Sequence, residues 1–81
     1  MNLPFNYIDA LYRKNNHGQP CVWTAIKTGL KTYTVYHGIL GKTISSTSIT
    51  THRLAQDEIK SKFNAKQKEG YKYLSELTDN I

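Results

Sequence analysis

The hydrophobic pattern of the sequence changes its period once, near Thr50. Up to that point, β-branched and aromatic residues alternate with polar ones, as in residues 31–37, and this alternation is typical of half-buried β-strands. Beyond it, apolar residues recur every four positions from Ala55 to Phe63, and Lys66 continues the same helical stripe. Strands followed by a helix predict an α+β fold, a single small domain with an antiparallel β-sheet of about four strands and one α-helix packed on it. The four predicted strands cover residues 7–14, 21–28, 31–37 and 43–49.

The ends of the predicted helix are marked by capping residues. A hydroxyl of Thr50 or Thr51 can accept a hydrogen bond from the first turn, so we expect the helix to begin just after them. We expect it to stop at Gly70, because glycine readily takes up the left-handed conformation that ends many helices. Three residues after the helix are expected to fold back on the core: Tyr71, Tyr73 and Leu74. Residues 1–6 and 78–81 of this single domain are expected to be frayed.

Length and cysteine content exclude several classes of protein. An 81-residue chain forms one domain at most, and its core is too small to favour a deep, water-excluding active site. The single Cys21 cannot form an internal disulfide, which indicates a reducing, cytoplasmic environment. No apolar run approaches the roughly 18 residues of a membrane span, and the first residues lack the layout of a signal peptide, so no membrane partner is expected.

Positive charge is concentrated in the first two thirds of the chain. Residues 1–54 contain six basic residues and one acidic residue, whereas residues 55–81 contain five of each. The net charge of +5 therefore belongs to the predicted sheet, where it favours encounters with polyanions and predicts a nucleic-acid partner. Lysines that only solvate the surface are the alternative interpretation.

The sequence offers little support for catalysis, a metal or a cofactor. Its histidines are scattered and have no acidic residue close to them in sequence to orient an imidazole. The Gly-Lys-Thr at residues 41–43 ends like a phosphate-binding loop, but the preceding glycine, Gly38, is too close for that motif. Lys42 can still hold one phosphate next to exposed backbone amides. Among the aromatic residues, Tyr36 and His37 are the candidates for stacking on a base or sugar, and Trp23 is expected in the core.

Three features, in order, resemble a WGR domain, the small module found in poly(ADP-ribose) polymerases and as a stand-alone bacterial domain. These are a strand that carries an aromatic residue (VWTAI, residues 22–26), a strand that runs into glycines (YTVYHGILG, residues 33–41) and a helix that ends FNAKQKEGY (residues 63–71). The resemblance covers about fifty of the 81 residues. It implies a small α+β fold and binding to DNA, in which the Trp of the family packs on a sugar at a DNA end and the Arg grips the backbone.

The sequence departs from this family at the residues that give it its name. The Trp-Gly-Arg motif aligns with His37, Gly38 and Ile39, so only the glycine is kept and an isoleucine stands where an arginine would bind phosphate. Residues 11–14, 22–23 and 37–38 are also similar to the basic, β-rich N-terminal module of some phage DNA ligases. Both resemblances imply DNA as the partner.

The resulting prediction is a non-enzymatic nucleic-acid-binding module, with DNA favoured, that grips phosphates through a basic face of its N-terminal half. The alternative is a protein-interaction or self-association module, a recruiter or inhibitor that has lost binding to DNA ends. In that case the Ser/Thr-rich strand at residues 43–49 would pair with another chain from the edge of the sheet. The predicted nucleic-acid-binding residues are Arg13, Lys14, Lys27, Lys31, Tyr36, His37, Gly38, Lys42 and Arg53.

Overall fold

The computed structural model describes residues 5–78. Strands β1 to β4 come first, helix α1 follows, and a short strand β5 and a short helix α2 end the described chain. The bounds are β1 Leu11–Lys14, β2 Pro20–Gly29, β3 Thr32–Ile39, β4 Ile44–Thr50, α1 Ala55–Lys68, β5 Lys72–Tyr73 and α2 Leu74–Thr78. A 3₁₀ turn, Tyr7–Asp9, precedes β1.

The strands form one sheet in the order β4-β3-β2-β1-β5, and every neighbouring pair is antiparallel. Helix α1 packs on one face of this sheet, so the predicted α+β fold with an antiparallel sheet is confirmed. The structure adds the two-residue strand β5, in which Tyr73 pairs with Leu11, and the five-residue helix α2. Both follow from the turn at Gly70, which sends the chain back along β1.

The first predicted strand is wrong over its first half. Residues 7–9 form the 3₁₀ turn, and β1 begins only at Leu11. The side chain of Asn6 explains the difference, because its Oδ1 accepts a hydrogen bond from the Ile8 amide at 3.1 Å and its carbonyl accepts from the Asp9 amide at 3.0 Å. Local hydrogen bonds of this kind compete with strand pairing.

The predicted start of the helix is also wrong, whereas its end is confirmed. The N-cap residue is Leu54, which supplies no side-chain cap, and the hydroxyl of Thr51 instead accepts from the Arg53 amide. Gly70 ends the helix with a φ of 101°, and the Tyr71 amide donates to the Lys66 carbonyl at 3.1 Å. This six-residue hydrogen-bonded loop is the arrangement in which glycine ends a helix most readily.

Apolar side chains are buried on both faces of the sheet. On the α1 face, Trp23 is 5% exposed and meets Phe63 edge-on at 5.0 Å between ring centres, so its predicted core position is confirmed. This cluster contains Leu11, Trp23, Ala25, Tyr33, Val35 and Ala55, with Ile49, Ile59, Phe63, Tyr71 and Tyr73 packed against it. The second cluster, on the opposite face, contains Ala10, Tyr12 and Val22, with Phe5, Leu40, Ile44 and Leu74 packed against it.

The segment after the helix returns to the core as predicted. Tyr71 and Tyr73 pack on the α1 face and Leu74 packs on the opposite one. Of the ends expected to be frayed, residues 1–4 and 79–81 lie outside the described residues. Phe5 is half-buried, and its ring lies 5.5 Å from that of Tyr36.

Candidate nucleic-acid interface

The two ends of the sheet carry different parts of the chain. One end holds the β1–β2 and β3–β4 turns, and the other holds the β2–β3 turn. Helix α1 runs from the second end to the first. Its first amide, on Ala55, donates to the Leu30 carbonyl in the β2–β3 turn at 2.8 Å, and its last turn offers the Glu69 carbonyl to the guanidinium of Arg13.

The predicted phosphate-binding residues are divided between these two ends. Arg13, Lys14 and Lys42 lie at the end with the β1–β2 and β3–β4 turns. Lys27, Lys31 and Arg53 lie at the end with the β2–β3 turn. Arg13 pairs with Cys21, and six residues of β2, about 20 Å at the usual rise of a strand, separate Cys21 from Lys27. The single basic face expected from the sequence is therefore two separate groups of cations.

The candidates for stacking also separate, because consecutive residues of a strand point to opposite faces. Tyr36 is half-buried under Phe5 on the face away from α1. His37 is exposed on the α1 face, where it pairs across the sheet with Trp23. Gly38 has a structural reason to be glycine, since a Cβ there would lie 2.6 Å from the Thr43 carbonyl oxygen of the neighbouring strand connection.

Two cations are held against aromatic rings at the end that carries Arg13. The guanidinium of Arg13 lies 5.5 Å from the centre of the Tyr71 ring. The ammonium of Lys66 lies 5.6 Å from the same ring and 5.8 Å from that of Trp23. Attraction between a cation and the face of an aromatic ring keeps both side chains ordered without neutralising their charge. A phosphate at this end would thus meet cations that are already in position.

The hydroxyl of Tyr71, whose ring both cations approach, stays protonated. Its burial raises the pKa of Tyr71 above the ordinary value, and the neighbouring Cys21 raises it further. The Arg13 guanidinium lowers that pKa and the Glu69 carboxylate raises it, both more weakly than burial. Tyr71 is therefore neutral, and the charged groups of Arg13 and Lys66 both lie close to its ring.

Acidic residues compensate the two ends unequally. Asp57 and Glu58, in the first turn of α1, lie at the end that holds Arg53, and Glu58 forms an ion pair with Arg53 at 3.4 Å. At the other end the acidic residue is Glu69, whose carboxylate lies 3.7 Å from Lys66. Within residues 5–78, these two ion pairs involve two of the eleven basic side chains. The end with the β1–β2 and β3–β4 turns thus keeps the larger uncompensated positive charge.

We call this surface the basic end and define it by Arg13, Lys14, Lys42 and Lys66. Lys14 pairs with Pro20, whose carbonyl accepts from the Leu40 amide at 2.9 Å, so the strands that carry Lys14 and lead to Lys42 lie two strand spacings apart, about 10 Å. Lys66 was not among the predicted site residues. The signal for it was present in the sequence, since a lysine on the sheet-facing stripe of a helix must lie beside the core aromatics.

A cleft of about 700 Å³ lies between α1 and β2, on the side of the helix that carries Lys60 and Asn64. It follows the edge of β2 beyond the point where pairing with β1 stops. The last pair in that direction is Leu11 with Trp23, and the residues of β2 after Trp23 have β3 as their one strand neighbour among the described residues. Apolar and charged side chains both line it, and they include Phe5, Asp9, Ile26, Ile59, Lys60 and Phe63. The cleft and the basic end are separate surfaces.

Among residues 5–78, no three His, Cys, Asp or Glu side chains come together in a way that would hold a metal ion. Neither helix within that range has the length and apolar character to cross a membrane. Comparison of the chain with protein-family models, curated proteins and solved structures finds no match.

Proposed function

We propose that this chain is a non-enzymatic nucleic-acid-binding module, with DNA favoured, and that the basic end grips phosphates. Four cations lie there on three separate segments, the end of β1, the β3–β4 turn and the last turns of α1. Cations arranged in this way position a nucleic-acid backbone without reading its sequence. The exposed His37, on the same face as Arg13 and Lys66, is the residue that would contact a sugar or base.

The observation that carries this proposal is the unequal compensation of charge along α1. Its first turn carries two acidic residues, Asp57 and Glu58, at the end that holds Arg53, whereas its last turn carries two lysines, Lys66 and Lys68, beside the single carboxylate of Glu69. A region of uncompensated positive potential attracts polyanions and speeds their association. DNA is favoured over RNA in this proposal because both sequence resemblances, to WGR domains and to the phage ligase module, imply DNA.

Fluorescence anisotropy with labelled single-stranded, blunt duplex and nicked DNA tests the proposal at several salt concentrations. Four phosphate contacts give a log–log slope of affinity against salt between about −3 and −4. Lys14→Ala and Lys42→Ala should each make this slope shallower by about one, because each removes one phosphate contact. The order of the three probes reveals any preference for ends or single strands.

Arg53→Ala is the matched control, because it removes one cation of the same charge at the other end, where Glu58 already pairs with it. It should leave the slope unchanged within about 0.3. Equal reductions of the slope in all three variants would mean that net charge, rather than the basic end, determines binding, and unchanged slopes in all three would place the contacts elsewhere on the surface. Absence of binding to every probe at about 50 mM salt would reject the nucleic-acid function itself.

The alternative function, recruitment of another protein, is favoured by the cleft beside β2. There part of β2 has no strand partner on one side among the described residues, and apolar side chains lie beside it, so an extended peptide can add to this edge through backbone hydrogen bonds. Salt separates the two functions, because backbone pairing and apolar contacts persist at about 0.5 M salt whereas phosphate contacts do not. Pull-downs at that salt concentration would then identify the partner.

A further inference from the structure

Among residues 5–78, strand β4 forms one complete edge of the sheet. It is the terminal strand in the order β4-β3-β2-β1-β5, and its seven residues pair with β3 without a bulge. Its sequence, ISSTSIT, has no charged residue and no proline, which are the features that usually prevent edge strands from pairing. The five residues Ser45, Ser46, Thr47, Ser48 and Thr50 are exposed.

The hydrogen-bonding pattern of the sheet determines which residues of β4 direct their backbone N–H and C=O groups away from β3. The Pro20 carbonyl accepts from the Leu40 amide at 2.9 Å, so even-numbered residues of β2 bond toward β3. The even-numbered residues of β3 pair with those of β2 and bond to them. Because successive residues of a strand hydrogen-bond to opposite neighbours, the odd-numbered residues of β3, such as Val35, bond to β4. Since Val35 pairs with Thr47, the even-numbered residues of β4 direct their N–H and C=O groups away from the sheet.

We propose that β4 pairs antiparallel with β4 of a second copy of this chain, about a two-fold axis beside Thr47. In this register Ile44 faces Thr50 and Ser46 faces Ser48, so all seven residues of each strand are paired. In this register each even-numbered residue faces an even-numbered residue of the second copy. The backbone N–H and C=O groups that point away from each sheet therefore face one another and form about eight hydrogen bonds between the chains. The result is one continuous ten-stranded sheet with both α1 helices on the same face.

The second copy is the occupant that the charges and the topology favour. Each molecule carries a net charge of +5, and all seven residues of β4 are uncharged, so the paired strands themselves place no like charges opposite one another. The opposite edge of the sheet, β5, has two residues and leads directly into α2, so it offers little for head-to-tail pairing. Pairing of β4 with itself uses the edge in both copies and closes the assembly as a dimer.

This inference does not depend on the nucleic-acid function, and salt affects the two in opposite ways. Salt screens the repulsion between two basic molecules, so dimer formation should strengthen or stay unchanged as salt increases. Phosphate binding weakens over the same range. The interface is a strand pair with exposed polar side chains and little apolar area, so we expect a weak dimer with a dissociation constant on the order of tens of micromolar.

Sedimentation velocity of the whole chain from about 5 to about 500 µM tests the dimer. The weight-average mass should rise from the monomer value of 9.3 kDa toward twice that value. Thr47→Lys places two like charges beside the two-fold axis and should raise the dissociation constant by about tenfold or more. Ser61→Lys adds the same charge on the exposed side of α1 and should leave the dissociation constant unchanged. Monomer at every concentration in the wild type, or equal weakening by both variants, would overturn the proposal.

Cross-linking tests the register. Thr47 and its symmetry mate form a non-hydrogen-bonded pair with Cα atoms about 4.5 Å apart, a distance that a disulfide can span. In a Cys21→Ser background, Thr47→Cys should therefore form a covalent dimer when oxidised glutathione takes up the two thiol hydrogens. Ser61→Cys should remain monomeric. No cross-link through Thr47→Cys, in a protein that still sediments as a dimer, would rule out this register and this interface.

Discussion

The hydroxyl of Tyr33 is the one polar side-chain atom within residues 5–78 that is buried without a hydrogen-bond partner. Tyr33 is fully buried on the α1 face of β3, where it packs with Val35 and Ala55. Its ring contributes apolar area to the core, whereas its hydroxyl loses hydration and gains no protein partner in exchange. The residue thus combines a stabilising and a destabilising part.

Tyr33→Phe separates these two parts, because it keeps the ring and removes the hydroxyl. We expect the free energy of unfolding to rise by about 1 kcal/mol, since the unsatisfied oxygen is lost and the packing is kept. Urea unfolding at pH 7 measures this as a shift of the midpoint with an unchanged slope. Tyr36→Phe, at a half-buried position on the opposite face, is the control and should change stability by less than about 0.5 kcal/mol. A loss of stability in Tyr33→Phe would mean that its hydroxyl has a partner.

At the scale of elements, helix α1 has one well-formed end and one incomplete end. Its C-terminus has the glycine and the hydrogen bonds that terminate helices, whereas its N-terminus begins at Leu54, which offers no side-chain acceptor. The Leu30 carbonyl satisfies the Ala55 amide, and the amides of the following residues still lack a side-chain cap. An acceptor at position 54 would complete this turn.

Leu54→Ser should supply that acceptor. Leu54 is 39% exposed and already has the extended backbone of an N-cap residue, so the substitution requires no change in backbone conformation. Leu54→Ala is the control, because it removes the same leucine and adds no acceptor. We expect the serine variant to be about 1 kcal/mol more stable than the alanine variant in urea unfolding. Equal stability of the two variants would show that the hydroxyl does not cap the helix.

The elements that could be predicted from the sequence are those decided by local chemistry. Gly70 ends the helix through its own backbone, and the alternation in residues 31–37 reflects one strand with two faces. The start of α1 could not be predicted in the same way, because the Leu30 carbonyl that receives its first amide comes from a distant turn. Strand β5 likewise depends on pairing with β1, which two residues cannot indicate by themselves.

The candidate site was predicted less completely than the fold, and for a related reason. Arg13 and Lys66 are far apart in the sequence and both approach the Tyr71 ring only because α1 runs back over the sheet. Lys27 and Lys42 belong to different ends because the whole length of β3 lies between the two turns near which they stand. Composition correctly placed the excess charge in the first 54 residues, but the direction of the helix determines which end keeps it.

At the scale of the whole molecule, the net charge and its placement make different predictions. If net charge alone drives binding to DNA, any two lysines are equivalent. If the basic end binds phosphates, only lysines at that end affect affinity strongly. The chain offers two matched pairs of exposed lysines for this comparison, Lys14 with Lys42 and Lys27 with Lys31. Reversing either pair to glutamate lowers the net charge from +5 by four, to +1.

The variant Lys14→Glu/Lys42→Glu should lose about tenfold or more of its affinity for DNA, because two phosphate contacts are replaced by repulsion. The variant Lys27→Glu/Lys31→Glu should lose less than about threefold, since its changes lie about 20 Å away along β2 and are partly screened at about 0.1 M salt. Anisotropy at that salt concentration measures both, and urea unfolding verifies that all four substitutions leave the fold intact. Equal losses would mean that the field of the whole molecule, rather than the basic end, attracts DNA. A larger loss in the second variant would place the interface at the β2–β3 turn, beside Arg53.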